Sequence, residues 1–517
     1  GYDMMAVCIA HEASMTSFSI PFDFDRSDIA LAAFRQHLMK KYATIESLNS
    51  CWKTRFDSFD AIIPLTTEEM IAREKTRAPA MSLAPWFDFR EFNDDAFMNL
   101  VDELASQSLV ISPNTPVSAT VTAIPSGWGG WDYGRLTSGR IPLIETYPFP
   151  GDFALVYGLS AGKAVQLSSC YTDQGDAMLI EIQRNFFYGE RGNFFVGSVS
   201  KVFPDANQLG GISAEYAPVF KQLNDYASLL KDASLDDGGV RIIYSQPSIR
   251  CSWFIDNLPD GNTYINRGST YEIDHNTWLQ NFAGWIDCLG ELGIHPLIET
   301  SENIQSGVLR HRQPDTILAL RLCSVSPKEM QALKQFVETG GSLIVDETFA
   351  LFDQNGNAVN HDIIPILVEP RPSLRSTFGE IKTPSRISSD PVVKKRGAGR
   401  VIMLNAEYAR YSSITDAAVR YELSSRILPY VNETGVSVLD ETGQPATDID
   451  LFVYKKNNQR FIGLCPTRPC ATKRVDLVVG MRHNNLSSVS STPCEAKASG
   501  VWSAEIPANR SVLLEIK

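Results

Sequence analysis

The sequence opens with an apolar run that lacks polar alternation, from Met4 to Ala10. A strand that is covered on one face alternates apolar and polar side chains, whereas a strand of a parallel sheet lies between two layers of helices and is apolar throughout. The run therefore predicts a strand of a parallel sheet. It ends in His11 and Glu12, so a carboxylate is expected where this strand emerges.

The carboxyl ends of strands carry the chemistry in (β/α)8 barrels, because the loops there converge over the barrel axis. Glu12 is therefore the first catalytic candidate. The alternative is a solvated loop residue that follows an ordinary strand.

Composition limits the classes of partner. The length of 517 residues predicts several domains. The formal charge of −13 argues against nucleic acid or an anionic membrane, because both need clustered Lys and Arg. No apolar run approaches the roughly 18 residues of a membrane helix, so no membrane span is expected. Nine scattered cysteines without a CxxC pair favour a reducing compartment, and the predicted location is cytoplasmic. No HxH or HExxH spacing occurs, so neither a metal nor a cofactor is predicted.

Two later segments carry a more specific signal, FRQHLMKKYATIESLNSCWKTRFDSFDAIIPL at 34–65 and PWFDFREF at 85–92. Together they resemble the glycoside hydrolase family 42 β-galactosidases. In that family an Asn-Glu pair at the end of strand four is followed by FRxWLKxKYGTIxxLNxxWGTxFWSxxYxxFxxIxxP and then by LDFxRF. The matching residues are Phe34, Arg35, Leu38, Lys41, Tyr42, Leu48, Asn49, Trp52, Thr54, Phe56, Ser58, Phe59, Ile63, Pro64, Phe87, Asp88, Phe89, Arg90 and Phe92.

The resemblance implies a role for each residue of the first pair. Glu12 matches the general acid/base at the end of barrel strand four. His11 stands where the family has an Asn that hydrogen-bonds the sugar 2-hydroxyl, so either His11 makes this contact or the sugar differs. The implied activity is cleavage of a β-linked galactoside or a related neutral glycoside, and the implied assembly is a homotrimer.

The resemblance also implies an α/β fold with three domains. Residues 1–235 would be the C-terminal part of a (β/α)8 TIM barrel, whose N-terminal half is missing from this sequence or supplied by a separate polypeptide. Residues 236–434 would form a flavodoxin-like or glutamine-amidotransferase-like α/β domain, which the family uses for trimer contacts. Residues 435–517 would form a small antiparallel β-sandwich domain.

The pattern of apolar residues predicts the elements of the barrel portion. Helices are expected at Asp28–Tyr42, from about Asn93 to Ser108 and at Glu215–Leu230, with a loop segment after the first. Strands five to eight of the barrel are expected at Val117–Pro125, Ile141–Pro150, Lys163–Gly175 and Asn193–Val199.

The second catalytic carboxylate is the point at which the sequence departs from the family. Retaining hydrolysis needs two carboxyl groups, and the family supplies the second as a Glu at the end of strand seven. No Glu occurs in this strand, which has Gln166 to Cys170 in that place. Glu145 could take the role, or it could bind substrate or form an ion pair. Asp173 could also take the role, or it could cap a helix. A third explanation is a homologue that has lost hydrolysis and only binds carbohydrate.

Three aromatic residues are candidates for contact with the sugar. Trp128 and Trp131 follow strand five in the stretch SGWGGWDYG, where an indole could stack on a sugar ring. Each could instead anchor its loop. Tyr147 follows Glu145 and could orient that carboxylate by a hydrogen bond, or it could be one of the aromatic residues that are common at strand ends in barrel cores.

Overall fold

The structure is a computed structural model of the chain. It describes residues 6–15, 23–76, 82–147, 149–171, 175–196, 211–257, 276–307, 315–319, 321–346, 348–359, 391–404, 423–431, 434–480, 486–489 and 493–516. The chain forms two compact units, each assembled from three stretches of sequence. The first unit contains 1–143, 242–282 and 298–414, and the second contains 144–241, 283–297 and 415–517.

Strands β1 (Val7–Ala13) and β2 (Val117–Val121) are parallel and pair from Val7 with Val117 to Ala13 with Val121. The prediction of a parallel strand at the start of the chain is therefore confirmed. Between the two strands lie α1 (Asp28–Tyr42), α2 (Ile45–Trp52), α3 (Thr67–Lys75) and α4 (Ala84–Ile111), and α5 (Tyr133–Ser138) follows β2.

Helix α1 has the predicted bounds, because the Ser27 hydroxyl accepts from the backbone N–H of Ala30 and caps its first turn. The prediction of a loop segment after α1 is wrong in part. Thr44 caps a further helix, α2, in the same way. Helix α4 begins at Ala84 and not near Asn93, because Pro85 suits the first turn of a helix.

One buried carboxylate, Asp88 in α4, joins the first helices. It accepts hydrogen bonds from Lys41 Nζ at 2.8 Å and from Tyr42 Oη at 2.7 Å, both at the end of α1. The indole N–H of Trp52, at the end of α2, donates to it at 2.6 Å. Burial of a carboxylate is tolerated when it is paired and hydrogen-bonded. These residues of the family motif therefore hold α1 and α2 on α4.

The second unit contains β3 (Leu143–Thr146, from Ile144 onward), α6 (Asp152–Ser160), β4 (Val165–Tyr171), α7 (Asp176–Phe187), β5 (Glu190–Val196) and α8 (Gly211–Leu230). Strands β4 and β5 are parallel. Within this unit the strand order is β3-β4-β5. The prediction of an α/β fold with a parallel sheet is confirmed, whereas the three domain boundaries and the barrel stay predictions.

Most predicted strands are longer than the observed ones. The strand expected at Val117–Pro125 ends at Val121, and the one expected at Ile141–Pro150 is Leu143–Thr146. The apolar pattern continues into turns because these are buried too: Ala123 and Ile124 lie in the core although they follow β2. Strand β5 begins at Glu190 and not at Asn193.

A second sheet has the strand order β11-β12-β10-β9-β7-β8. Its strands are β7 (Val240–Tyr244), β8 (Leu297–Thr300), β9 (Thr316–Ala319), β10 (Ser342–Val345), β11 (Val392–Arg396) and β12 (Gly399–Met403). Strands β9, β10 and β12 are parallel, and β11 is antiparallel to β12. The associated helices are α9 (Gln246–Asn257), α10 (Thr277–Glu291), α11 (Ser301–Ser306) and α12 (Pro327–Glu338).

The last part of the chain forms two sheets, β13-β16-β19-β18 and β17-β20-β15-β14-β6, whose described pairs are antiparallel. The strands are β6 (Ser234–Leu235), β13 (Val436–Leu439), β14 (Ile449–Lys456), β15 (Gln459–Pro466), β16 (Lys473–Val479), β17 (Leu486–Ser488), β18 (Cys494–Ala498), β19 (Val501–Ile506) and β20 (Val512–Ile516). Apolar side chains from both sheets share one core. Among the described residues, no helix has the length and apolar character that a bilayer crossing requires.

Candidate functional site

The first candidate carboxylate lies near the carboxyl end of β1. Glu12 is the penultimate residue of this strand, and the side chains of Glu12 and His11 are both exposed. The backbone of Glu12 has a φ of 52°, which is uncommon for a residue other than glycine. The pairing of β1 with β2 shifts register between Ala10 and Ala13. The strand is therefore distorted at the residue that the family resemblance assigns to acid/base chemistry.

Trp131 holds the chain next to Glu12. Its indole N–H donates to the carbonyl of Ala13 at 2.7 Å, and Thr122 Oγ1 donates to the same carbonyl at 3.1 Å. The Trp131 ring is 2% exposed and packs edge-on against Phe97. In this structure Trp131 is an anchor of the loop that follows β2.

Trp128 is also enclosed. It is 3% exposed and makes an edge-on contact with Trp253, which stacks on Trp86. All three belong to one core cluster of the first unit. The side chain of Trp128 is thus covered by protein, as expected for a loop anchor, and a stacking role toward sugar stays a prediction for both tryptophans.

The second candidate, Glu145, lies in β3 of the second unit. Its side chain is 8% exposed, and its carboxylate accepts a hydrogen bond from the hydroxyl of Ser169 in β4. Tyr147 follows β3 and is half-buried. Asp173 lies outside the described residues, so its proposed role stays a prediction.

Neighbouring residues show which face of the sheet Glu145 occupies. Thr146 Oγ1 donates to Asp152 at the start of α6, at 3.2 Å. Gln166 Nε2 donates to the carbonyls of Phe153, in α6, and Tyr188, just after α7. Side chains alternate between the two faces along a strand. Thr146 and Gln166 therefore face the helices, whereas Glu145 and Ser169 lie on the opposite face.

A third carboxyl group, Glu190, lies on the face toward the helices. The hydroxyl of Ser168 and the side-chain amide of Asn193 both donate to it. Burial raises the pKa of the Glu190 carboxyl well above its usual range, and the nearby carboxyl groups of Glu181 and Asp152 add to this effect. Burial also raises the pKa of Asp152, to about 7.

Ser169 and Glu190 were not predicted from the sequence as site residues. A signal was present for the first, because Ser168 and Ser169 are adjacent hydroxyl residues inside a predicted strand of the parallel sheet. Polar side chains in a buried strand need hydrogen-bond partners. This requirement could have indicated carboxylates on the two neighbouring strands as partners of the serines. In the described part of the chain, no group of three or more His, Cys, Asp and Glu side chains is arranged to hold a metal ion.

The parallel sheet, its flanking helices and the carboxylates near its strand ends define an α/β protein whose fold is that of known glycosidases. Residues 19–140 match the family model of the glycoside hydrolase family 42 β-galactosidases. The family resemblance predicted from the sequence is therefore confirmed over this segment.

Several solved structures have a similar fold over most of this chain. The β-galactosidase from Bacillus circulans sp. alkalophilus is 14% identical with a TM-score of 0.64, and the match covers 96% of this chain and 77% of that one. A catalytic mutant of a GH42 β-galactosidase from G. stearothermophilus is 12% identical with a TM-score of 0.62, covering 95% and 76%. The apo exo-carrageenase GH42 from Bacteroides ovatus is 13% identical with a TM-score of 0.60, covering 98% and 65%. No curated protein matches the sequence. At these identities the likeness shows the fold.

Proposed function

We propose that the protein is a glycoside hydrolase that cleaves a β-linked galactoside or a related neutral glycoside. The observation that carries the proposal is the buried Glu145 carboxylate, which lies near the end of a parallel strand, on the face away from the helices, with Ser169 donating to it. The match of residues 19–140 to the family model and the exposed Glu12 at the end of β1 support it.

In this proposal the two carboxyl groups have different roles. Glu12 protonates the oxygen of the leaving group, and Glu145 acts as the nucleophile or as the base that activates water. A retaining reaction needs the two carboxyl groups about 5 to 5.5 Å apart, and an inverting one needs about 6.5 to 9.5 Å. Burial of Glu145 suits the nucleophilic role, because a partly dehydrated carboxylate that accepts a hydrogen bond from Ser169 is oriented before substrate arrives.

Hydrolysis of a nitrophenyl β-galactoside tests the proposal. Glu12→Gln and Glu145→Gln are each expected to lower kcat about 100-fold or more, because general acid/base and nucleophilic groups contribute at least that much. A 2-deoxy-2-fluoro galactoside should form an adduct on Glu145 that mass spectrometry locates, if the reaction is retaining.

The competing function is that of a carbohydrate-binding homologue without catalysis, which the lack of a Glu in β4 favours. Equal sugar binding by the wild type and the Glu12→Gln variant, with turnover in neither, would establish this second function. An adduct on Asp173 would instead assign the second carboxylate to that residue.

We also propose that the parallel sheet belongs to a (β/α)8 barrel whose further strands add beside β1. This strand lies at one end of the sheet, and Cys8 is exposed while Val7 and Ile9 are half-buried. Every residue of β2, by contrast, is buried. Slow amide hydrogen exchange in β1 of the purified particle would support this proposal, and exchange at the rate of an unpaired strand edge would contradict it.

A homotrimer is the proposed assembly. Light scattering of the purified particle should give three times the polypeptide mass that mass spectrometry measures under denaturing conditions. A particle with the mass of one chain would overturn this.

A further inference from the structure

Two adjacent serines of β4 each donate a hydrogen bond to a carboxyl group on a neighbouring strand. Ser169 donates to Glu145 in β3, and Ser168 donates to Glu190 in β5. Both serine side chains are 6% exposed. Consecutive residues of a strand point to opposite faces, so the two pairs lie on opposite sides of the same sheet.

The two sides differ in what they face. On the side of Ser168, Gln166 donates hydrogen bonds to the backbone of α6 and of the residue after α7. On the same side, Glu190 lies near Asp152 of α6 and Glu181 of α7. That pair belongs to the layer between strands and helices. The Ser169 side is the one that holds Glu145, the second carboxylate of the proposed reaction.

We infer that Ser169 is a positioning residue for Glu145. This inference rests on the proposed function and adds to that function the group that orients the second carboxylate. A hydrogen bond between a hydroxyl and a carboxylate is short and strong compared with neutral pairs. It fixes one oxygen of Glu145 relative to β4 and so fixes the direction in which the carboxylate can attack or accept a proton.

The inference also accounts for the departure from the family in strand seven. Strand β4 lacks the carboxylate that the family resemblance leads one to expect there. It presents instead a neutral hydroxyl to a carboxylate on the adjacent strand. Strand β4 thus offers Glu145 a hydrogen-bond donor in the place where a second carboxylate would repel it, and the role of β4 changes from carrying the nucleophile to orienting it.

The test compares Ser169→Ala with Ser168→Ala, a control in the same strand with the same burial and the same kind of partner. Ser169→Ala should lower kcat for a nitrophenyl glycoside about 10- to 100-fold, the range expected for loss of a hydrogen bond to a charged group, and should leave KM within about twofold. Ser169→Thr keeps the hydroxyl and should restore most of kcat. Ser168→Ala should change kcat less than about twofold, because its partner lies in the helix-facing layer.

A second measurement does not depend on turnover. The carboxylate stretching band of Glu145, assigned by its loss in Glu145→Gln, should shift in the infrared spectrum of Ser169→Ala and stay in place in Ser168→Ala. If the Glu145 band shifts in Ser169→Ala but the wild type does not hydrolyse the glycoside, the proposed function is refuted and the Ser169–Glu145 hydrogen bond is established. Equal kcat losses in the two alanine variants, no rescue by Thr, or an unmoved Glu145 band would overturn the inference.

Discussion

At the scale of single residues, the motif that carries the family resemblance contributes to the packing of the first helices. Asp88 receives hydrogen bonds from Lys41, Tyr42 and Trp52, all of which match the motif. Lys41 is charged in this setting: although burial opposes it, the neighbouring carboxylates of Asp88 and Glu91 raise its pKa above the usual range. The residues that make a sequence recognisable are therefore those that fasten α1 and α2 to α4.

Removal of this carboxylate should destabilise the first unit. Asp88→Ala leaves the buried indole N–H of Trp52 without this acceptor and removes one partner from each of the partly exposed Lys41 and Tyr42 side chains. Loss of the acceptor of a buried donor typically costs about 1 to 3 kcal/mol. Urea unfolding of the variant and the wild type measures the change. The control is Asp102→Ala on the same helix, whose ion pair with Arg135 is partly exposed and should contribute less than about 1 kcal/mol. Equal effects of the two substitutions would contradict the assigned role of Asp88.

His11 offers a second test at this scale. It is exposed beside Glu12, where the family has an Asn that contacts the sugar. His11→Ala should raise KM about 3- to 10-fold, the effect of one lost hydrogen bond, without changing stability. Cys8→Ala, at another exposed position of β1, serves as the control and should leave KM unchanged. An unchanged KM in His11→Ala would remove His11 from the sugar site.

At the scale of elements, the layer between β4, β5 and the helices α6 and α7 holds three carboxyl groups. Burial raises the pKa of Glu190, Asp152 and Glu181 above their usual range. The positive charges of Arg184 and Arg191 act in the opposite direction. This part of the second unit is therefore best packed when these carboxyl groups are protonated.

These raised pKa values make the free energy of unfolding of the protein depend on pH. Glu190 has a folded pKa above its unfolded value of about 4.3, so the folded state binds more protons between the two values. Its contribution to stability is complete below the unfolded pKa and is lost as pH rises toward the folded one. Glu190→Gln should thus be more stable than the wild type at pH 8, with the difference shrinking toward pH 4. Urea titrations across this range measure it. Glu441→Gln, at an exposed turn, should show no such difference, and a constant difference for Glu190→Gln would contradict the explanation.

At the scale of the whole molecule, the second unit is assembled from three separate stretches of sequence. His295, in the middle stretch, contacts the other two: its Nδ1 lies 3.1 Å from Tyr188 Oη, and its Nε2 lies 2.9 Å from the carbonyl of Leu451. Arg184, in the first stretch, forms ion pairs with Asp287 of the middle stretch and Asp450 of the last. The antiparallel strands after Gly435 are thus packed into a unit that begins nearly 300 residues earlier.

His295 should make this unit sensitive to acid. Burial lowers the pKa of His295 to about 4, so the folded state binds fewer protons than the unfolded chain between about pH 6.5 and 4. The stability that neutral His295 contributes is present above the unfolded pKa and is lost as pH falls through the folded one. His295→Gln should reduce the slope of unfolding free energy against pH in this window. Asn458→Ala, at an exposed turn of the same unit, replaces a residue that does not titrate and should leave the slope unchanged. The same slope in all three proteins would refute the role of His295.

Several features were predictable from the sequence because they depend on local order. The apolar runs indicated parallel strands, the helix expected at Asp28–Tyr42 has those bounds, and the motif residues at 34–92 carry the resemblance to the family whose model matches residues 19–140. The helix at Ile45–Trp52 was missed although its cap, Thr44, is local, because the segment has no long apolar period.

The tertiary structure decided the partners of the candidate residues. The sequence alone determined that β4 lacks a carboxylate and that Glu145 closes the preceding strand. It did not determine that Ser169 lies against Glu145 while Ser168 lies against Glu190. Those contacts depend on strand register, and a shift of one residue would exchange the two serines between the faces of the sheet. Register is set by the packing of whole strands against helices, which no short stretch of sequence contains.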